Sequence, residues 1–90
     1  MKIRIHELAA KEFDDAIMWY DQQSEGLGKR FKKTVKDSIE WYLKESVDLY
    51  KTYIPKFPYK VLFTVEKHEI IIWAIAHMHR KPWYWQSRIS

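Results

Sequence analysis

Glu69–Ser90, EIIIWAIAHMHRKPWYWQSRIS, is the stretch on which the fold turns. Ile70 to Ala76 is apolar at every position. A strand with one wet face alternates; one that hardly alternates is central or is covered on its second face. The rest is a dense polar and aromatic tail with His77, His79, Arg80, Lys81, Trp83, Tyr84, Trp85 and Arg88. A strand that hands over directly to titratable and cationic side chains presents them at the rim of a sheet, where rigid backbone fixes their geometry. Pro82 cannot continue a ladder, so the chain turns there and sets His79 to Trp85 over one end of the sheet. The same residues also suit a plainer task, closing the core and solvating its edge, because structural charge networks crowd at strand ends too.

Working back from that strand, Glu66-Lys67-His68-Glu69 reads as a four-residue hairpin turn. Tyr59 to Val65 alternates, with Tyr59, Val61, Phe63 and Val65 against Lys60, Leu62 and Thr64. Pro55 and Pro58 bound Lys56-Phe57 in a turn or edge kink, and Tyr50 to Ile54 is a short strand. Upstream, the period changes to that of a helix. Phe31, Val35, Ile39, Tyr42 and Leu43 form the stripe of a helix from Leu27 to Glu45. Leu8, Ala9, Phe13, Ala16, Ile17 and Tyr20 form that of a helix from Glu7 to Gln23. Ser24-Glu25-Gly26-Leu27-Gly28 breaks the two apart, with Gly26 suited to a left-handed position. So short a linker makes an antiparallel helical hairpin. Trp19 and Trp41 sit at the stripe edges, placed to pack across that hairpin or to sit under a partner. Lys2 to His6 alternates as a short strand with one buried face.

The order is therefore strand, helix, helix, three strands and a tail. If every link reverses direction, the last strand runs antiparallel to the first and pairs beside it. The expected fold is α+β in two layers: an antiparallel sheet of order 1-4-3-2 with the helical hairpin on one face. The other face is then left for a partner chain or for the tail folding back.

Ninety residues allow one domain, 1–90, with a modest core. The absence of cysteine excludes disulfides, thiolate metal sites and a cysteine nucleophile. No apolar run nears the ~20 residues of a membrane span, and MKIRIHELAAKEF carries no signal-peptide pattern, so the expected location is the cytoplasm, without membrane association. Sixteen Lys and Arg against twelve Asp and Glu leave a charge of +4 and a pI near 9.3. No acid follows Glu69, so positive potential gathers at the C-terminal end and favours an acidic partner.

Three phrases, IHELAAKEFDDAIMWYDQQSEGLGKRF, YIPKFPYKVLFTV and IIIWAIAHMHRKPWYW, together resemble the RelE/ParE superfamily of type II toxins, the plasmid-stabilisation family. The resemblance covers nearly the whole chain. It lies in the Gly-Leu-Gly entry to the second helix, the Phe57-Pro58-Tyr59 turn, and the apolar strand that ends in His77 before Arg80 and the aromatic tail. It implies a growth-arresting toxin silenced by a cognate antitoxin. RelE-like members cut messenger RNA on the ribosome, whereas ParE-like members poison DNA gyrase. A catalytically inactive, toxin-like binding module in a regulatory complex is the alternative.

Metal-independent RNA cleavage needs a base, cations for the phosphorane charge and an acid for the leaving oxygen. By the resemblance, His79, Arg80, Tyr84 and Lys60 are the catalytic candidates. Histidine titrates near neutrality and Arg80 matches a phosphate with its planar fork. Lys51, His77, Lys81, Trp83 and Arg88 are the candidates for holding nucleic acid or another target. No cofactor and no metal is expected: His77 and His79 share a face at spacing two, but the tail supplies no carboxylate to complete a site. His77 also reads as a hydrogen-bonded strand-end histidine, the Trp83-Tyr84-Trp85 cluster as a stack for nucleobases or an anchor onto its own core, and the basic run Lys29 to Lys36 as a solvated helix face or a phosphate-tracking surface.

Overall fold

The computed structural model describes the backbone of residues 2–45, 51–81 and 84–89, and the side chains of 2–39, 53–81 and 84–89. Pro82 and Trp83, and the side chains of Trp41, Tyr42, Leu43 and Lys51, lie outside the described residues. The chain runs β1 (Lys2–Ile5), α1 (Glu7–Gln23), α2 (Leu27–Glu45), β2 (Lys51–Tyr53), β3 (Tyr59–Glu66), β4 (Glu69–His77) and a 3-10 turn at Gln86–Arg88.

Each helix end has a local cause. His6 caps α1, its Nδ1 accepting from the Leu8 N–H at 3.1 Å. At the other end the Ser24 N–H returns to the Tyr20 carbonyl, and Gly26 takes the left-handed φ of 83° that lets the chain turn. Asp21 then accepts the Gly28 N–H at 2.8 Å, which places a carboxylate at the start of α2, where the helix dipole favours it. Gly28 has a second role. A Cβ there would run into the Ile17 carbonyl oxygen and, at 2.7 Å, into the Asp21 side chain. The first obstacle is helix backbone, which cannot swing aside. Gly28→Ala should therefore cost about 2–3 kcal/mol by forcing the helices apart. Urea unfolding checks this, with the midpoint expected to fall and the slope to stay constant.

The hairpin lies on one face of the sheet. Ala9, Ala16 and Tyr20 of α1 and Phe31, Val35 and Ile39 of α2 pack on Val61, Phe63, Ile70, Ile72 and Ile75. Phe31 is at the centre, with ring centroids of Phe57, Tyr20 and Tyr59 about 5 Å away. The Phe57-Pro58-Tyr59 turn thus serves to deliver two rings to the core. Lys56 takes a φ of 69° to make that turn.

The sheet is mixed rather than antiparallel. β3 and β4 pair antiparallel, as do β2 and β3, but β1 runs parallel to β4, with Ile5 opposite Ile72. The expectation of reversal at every link fails at His6. After pairing with the first half of β4, the chain does not fold back; α1 continues in the same sense. Its Glu12 reaches Ile75, and Tyr20, farther on, meets Tyr59, the partner of His77. One reversal fewer makes β4 parallel to β1. A second expectation also changes. β1 has no buried face: Ile3 and Ile5 keep 44% and 41% of their surface, as does Leu8 with 44%, because the hairpin covers β3 and β4 and leaves this edge open.

The apolar run of β4 has a specific cause. Phe63 pairs with Ile72 and Leu62 with Ala74, so Trp73 is an extra residue on β4. Such a bulge shifts the alternation by one. Ile70, Ile72 and Ile75 face the helices. Ala74 and Ala76 face the other way, beside Leu62, and there Tyr84 and Trp85 of the tail pack over them. Two alanines leave room for two rings. Around Leu62, Ala74 and Ala76 the second face is covered by the chain's own tail.

Candidate functional site

β1 pairs only with Glu69–Ile72, and its ladder is extended by the His6 N–H bonding the Ile72 carbonyl at 2.8 Å. Beyond that point, among the described residues, the edge of β4 has no strand beside it, and its polar groups need other partners. Two side chains supply them. Glu12 Oε1 accepts the Ile75 N–H at 3.1 Å, and Arg88 Nη1 donates to the Trp73 carbonyl at 2.9 Å. Carboxylate and guanidinium offer the acceptor and donor that a longer β1 would have offered.

The two are also bound to each other in a double hydrogen bond, Nη1 to Oε1 at 3.0 Å and Nη2 to Oε2 at 2.9 Å. Tyr84 donates its hydroxyl to Oε2 at 2.8 Å. Arg88 keeps 10% of its side-chain surface and Glu12 19%. Burial pushes the Glu12 carboxyl up, but the hydrogen bonds from Arg88, Tyr84 and Ile75 and the Arg88 charge outweigh it, leaving it below its ordinary value. The Tyr84 phenol is driven far up, first by burial and then by Glu12. The hydrogen bond and charge of Glu12 raise Arg88 against the opposing effect of burial.

Beside this network an open groove of about 620 Å³ runs between α1 and the end of β4. Ala16 and Ile75 form its floor, Trp19 and Tyr59 line its walls, and Asp15, His77 and Arg80 supply its polar rim. Trp19 keeps 54% of its surface and the neighbouring Met18 60%, a large apolar exposure for one turn of helix. His77 stands opposite Tyr59 in register, the rings edge to face at 5.1 Å. Its Nδ1 accepts the His79 N–H at 3.1 Å, so the neutral ring carries its proton on Nε2. The Arg80 guanidinium lies 4.1 Å from the centre of the Tyr84 ring.

Of the residues singled out in the sequence, His77, Arg80 and Tyr84 share this groove. His79 is exposed, its ring 5.2 Å from that of His77. Lys60 pairs with Ala76 and so lies on the tail-covered face, the opposite one from His77. Lys51 lies in β2 opposite Leu62. Lys81 is exposed, Trp83 falls outside the described residues, and Arg88 is committed to Glu12. Among the described residues no cluster of three or more His, Asp or Glu is placed to hold a metal, and no helix is long and apolar enough to cross a membrane. Sequence reading missed Glu12 and Asp15; Trp19, read as packing across the hairpin or sitting under a partner, stands exposed on the groove wall. One signal for Glu12 was present: it lies one residue before Phe13 in the apolar stripe, at its margin, while the tail offers only cations.

The arrangement suits recognition better than proton transfer. A phenol with a raised pKa, already donating to a carboxylate, is a poor acid near neutrality. An exposed tryptophan beside an arginine and a histidine N–H makes an apolar and cationic contact surface. A scan against protein-family models and searches of curated proteins and of solved structures found no match to this chain.

Proposed function

We propose that this chain is the growth-arresting toxin of a type II toxin–antitoxin pair of the RelE/ParE kind, working in the cytoplasm by binding its target rather than by cutting RNA. The element order and the sheet order β1-β4-β3-β2 are the frame on which that reading rests, together with the motif resemblance. The observation that carries the choice between targets is the Glu12 network. It occupies the Tyr84 hydroxyl and the Arg88 guanidinium, while Lys60 lies on the far face. Of the RNA-cleaving set, that leaves His79 and Arg80 near the groove without the acid and second cation, and a ParE-like action on gyrase fits better. The antitoxin's site is then the groove beside α1, since the tail already covers Leu62, Ala74 and Ala76. An acidic amphipathic segment would bury Trp19 and Met18 and meet Arg80 and Lys81.

Induction of the chain in a bacterial host, with messenger RNA ends and plasmid supercoiling followed together, tests this. Growth arrest with altered supercoiling and no new RNA ends is the expected result. Arg80→Ala should weaken the arrest by about tenfold in dose, with the fold intact, because it removes a cation from the rim of the contact. New RNA ends that vanish in Arg80→Ala would instead establish the ribonuclease reading. An absence of arrest, with antitoxin binding retained, would establish the inactive binding module.

A further inference from the structure

Glu12 lines the groove, yet it has nothing left to offer a ligand. A carboxylate has about four lone-pair positions, and the Ile75 N–H, the Tyr84 hydroxyl and the two Arg88 nitrogens direct four hydrogen bonds at this one. Glu12 is therefore not placed to act as a catalytic base. Its effect falls on the tail. The Tyr84 hydroxyl oxygen lies on the axis about which the ring turns, so its bond to Oε2 fixes where the ring lies, while packing against Leu62, Ala74 and Ala76 restrains its plane. Arg80 depends in turn on the place of that ring. Its backbone N–H bonds the His77 carbonyl at 3.0 Å. Among the described residues its guanidinium has no hydrogen bond or ion pair, only the face of Tyr84 at 4.1 Å. A cation over a ring face is held by the ring's quadrupole, an orientation-dependent contact that a loose ring does not provide.

We infer that Glu12 is a positioning residue: its carboxylate places Tyr84, and the Tyr84 ring holds the Arg80 guanidinium at the rim of the groove. The inference rests on the proposed role of Arg80 in meeting the target. Glu12 lies 72 residues before Tyr84, so one acid on the first helix governs the geometry of a site built by the tail. This also gives the ladder-like capping of Trp73 and Ile75 a use beyond stability. Pinned to the sheet on both sides, the Glu12–Arg88 pair is a rigid reference for the tail.

The test uses the full chain and the variants Glu12→Gln and Tyr84→Phe. Glu12→Gln keeps the carbonyl for Ile75 but turns an amide donor toward donors. Tyr84→Phe keeps the ring and loses only the bond that places it, and so stands in should the first variant fail to fold. Nuclear magnetic resonance reads the ring-current shift of the Arg80 δ-methylene, which a face-on tyrosine moves upfield. Hydrogen exchange reads the β3–β4 amides, to confirm the core. The expected result is loss of most of that upfield shift in both variants with core protection kept. Arg80→Ala, costly in the native background, should add little to either variant in growth arrest, because Arg80 is already misplaced. An unchanged Arg80 shift would overturn the inference, and so would an Arg80→Ala penalty equal in all backgrounds. If the native chain arrests no growth, the proposed function falls, and the shift alone decides whether Glu12 positions Arg80.

Discussion

Arg88→Ala should lower the stability of the domain by about 3 kcal/mol, the low end of the range for breaking a buried ion pair, because Glu12 keeps some contact with water. The loss has two sources. Glu12 would remain largely buried without its counter-charge, and the Trp73 carbonyl would lose its donor. For a domain of this size that change should reduce Tm by more than about 10 °C in a thermal scan. The contrast is with the exposed pairs Arg4–Glu69 and Lys33–Asp37, for which truncation should stay under about 1 kcal/mol. The same network makes stability depend on acid. Glu12 has a lowered pKa in the folded state, so its contribution is complete above the unfolded carboxylate range of about 4.3 and disappears as pH falls through the lower folded value. Stability measured by urea unfolding across that range should fall for the native chain. In Glu12→Gln it should start lower and change less, the difference in slope not exceeding about 1.4 kcal/mol per pH unit for one proton.

Phe31→Ala should cost about 3–5 kcal/mol, as much as any single truncation in this core. Phe31 has no exposed surface and touches rings from three other segments: Phe13 and Tyr20 on α1, Phe57 in the turn and Tyr59 on β3. Those neighbours are held by a helix, a tight turn and a strand, so they cannot collapse into the space the ring leaves. Urea unfolding should show the loss, and the near-ultraviolet circular dichroism of the aromatic cluster should weaken before the far-ultraviolet helix signal does. A core that loses less than about 1 kcal/mol on this change would mean that the cluster repacks, contrary to the close packing described.

The bounds of both helices, the hairpin between them and the left-handed turn at Gly26 follow from the sequence alone. Helix periodicity and a glycine at a break are local signals, each carried within a few residues. The uninterrupted apolar character of Ile70 to Ala76 likewise announced a strand covered on both faces. What covered the second face was not legible, because the choice between the tail and a partner depends on whether two rings fit over Ala74 and Ala76. The parallel course of β1 was hidden for a similar reason. A count of reversals treats every link alike, and the one-residue link at His6 does not reverse. The bulge at Trp73 leaves no mark in a run where every residue is apolar.

The candidate site divides along the same line. His77, Arg80 and Tyr84 were visible because a strand end and a cationic tail are contiguous in sequence. Their partition was not: Tyr84 and Arg88 turn inward to Glu12, His77 and Arg80 line the groove, and Lys60 goes to the other face. Glu12 and Arg88 are separated by 76 positions, and nothing in the spacing of either pairs it with the other. They meet because β1 stops short, α1 runs on along the edge it leaves, and the tail returns to that same edge with a cation that satisfies both the carboxylate and an open carbonyl. Local periodicity determines which residues are buried; only the packed sheet decides which buried polar groups are left to find each other.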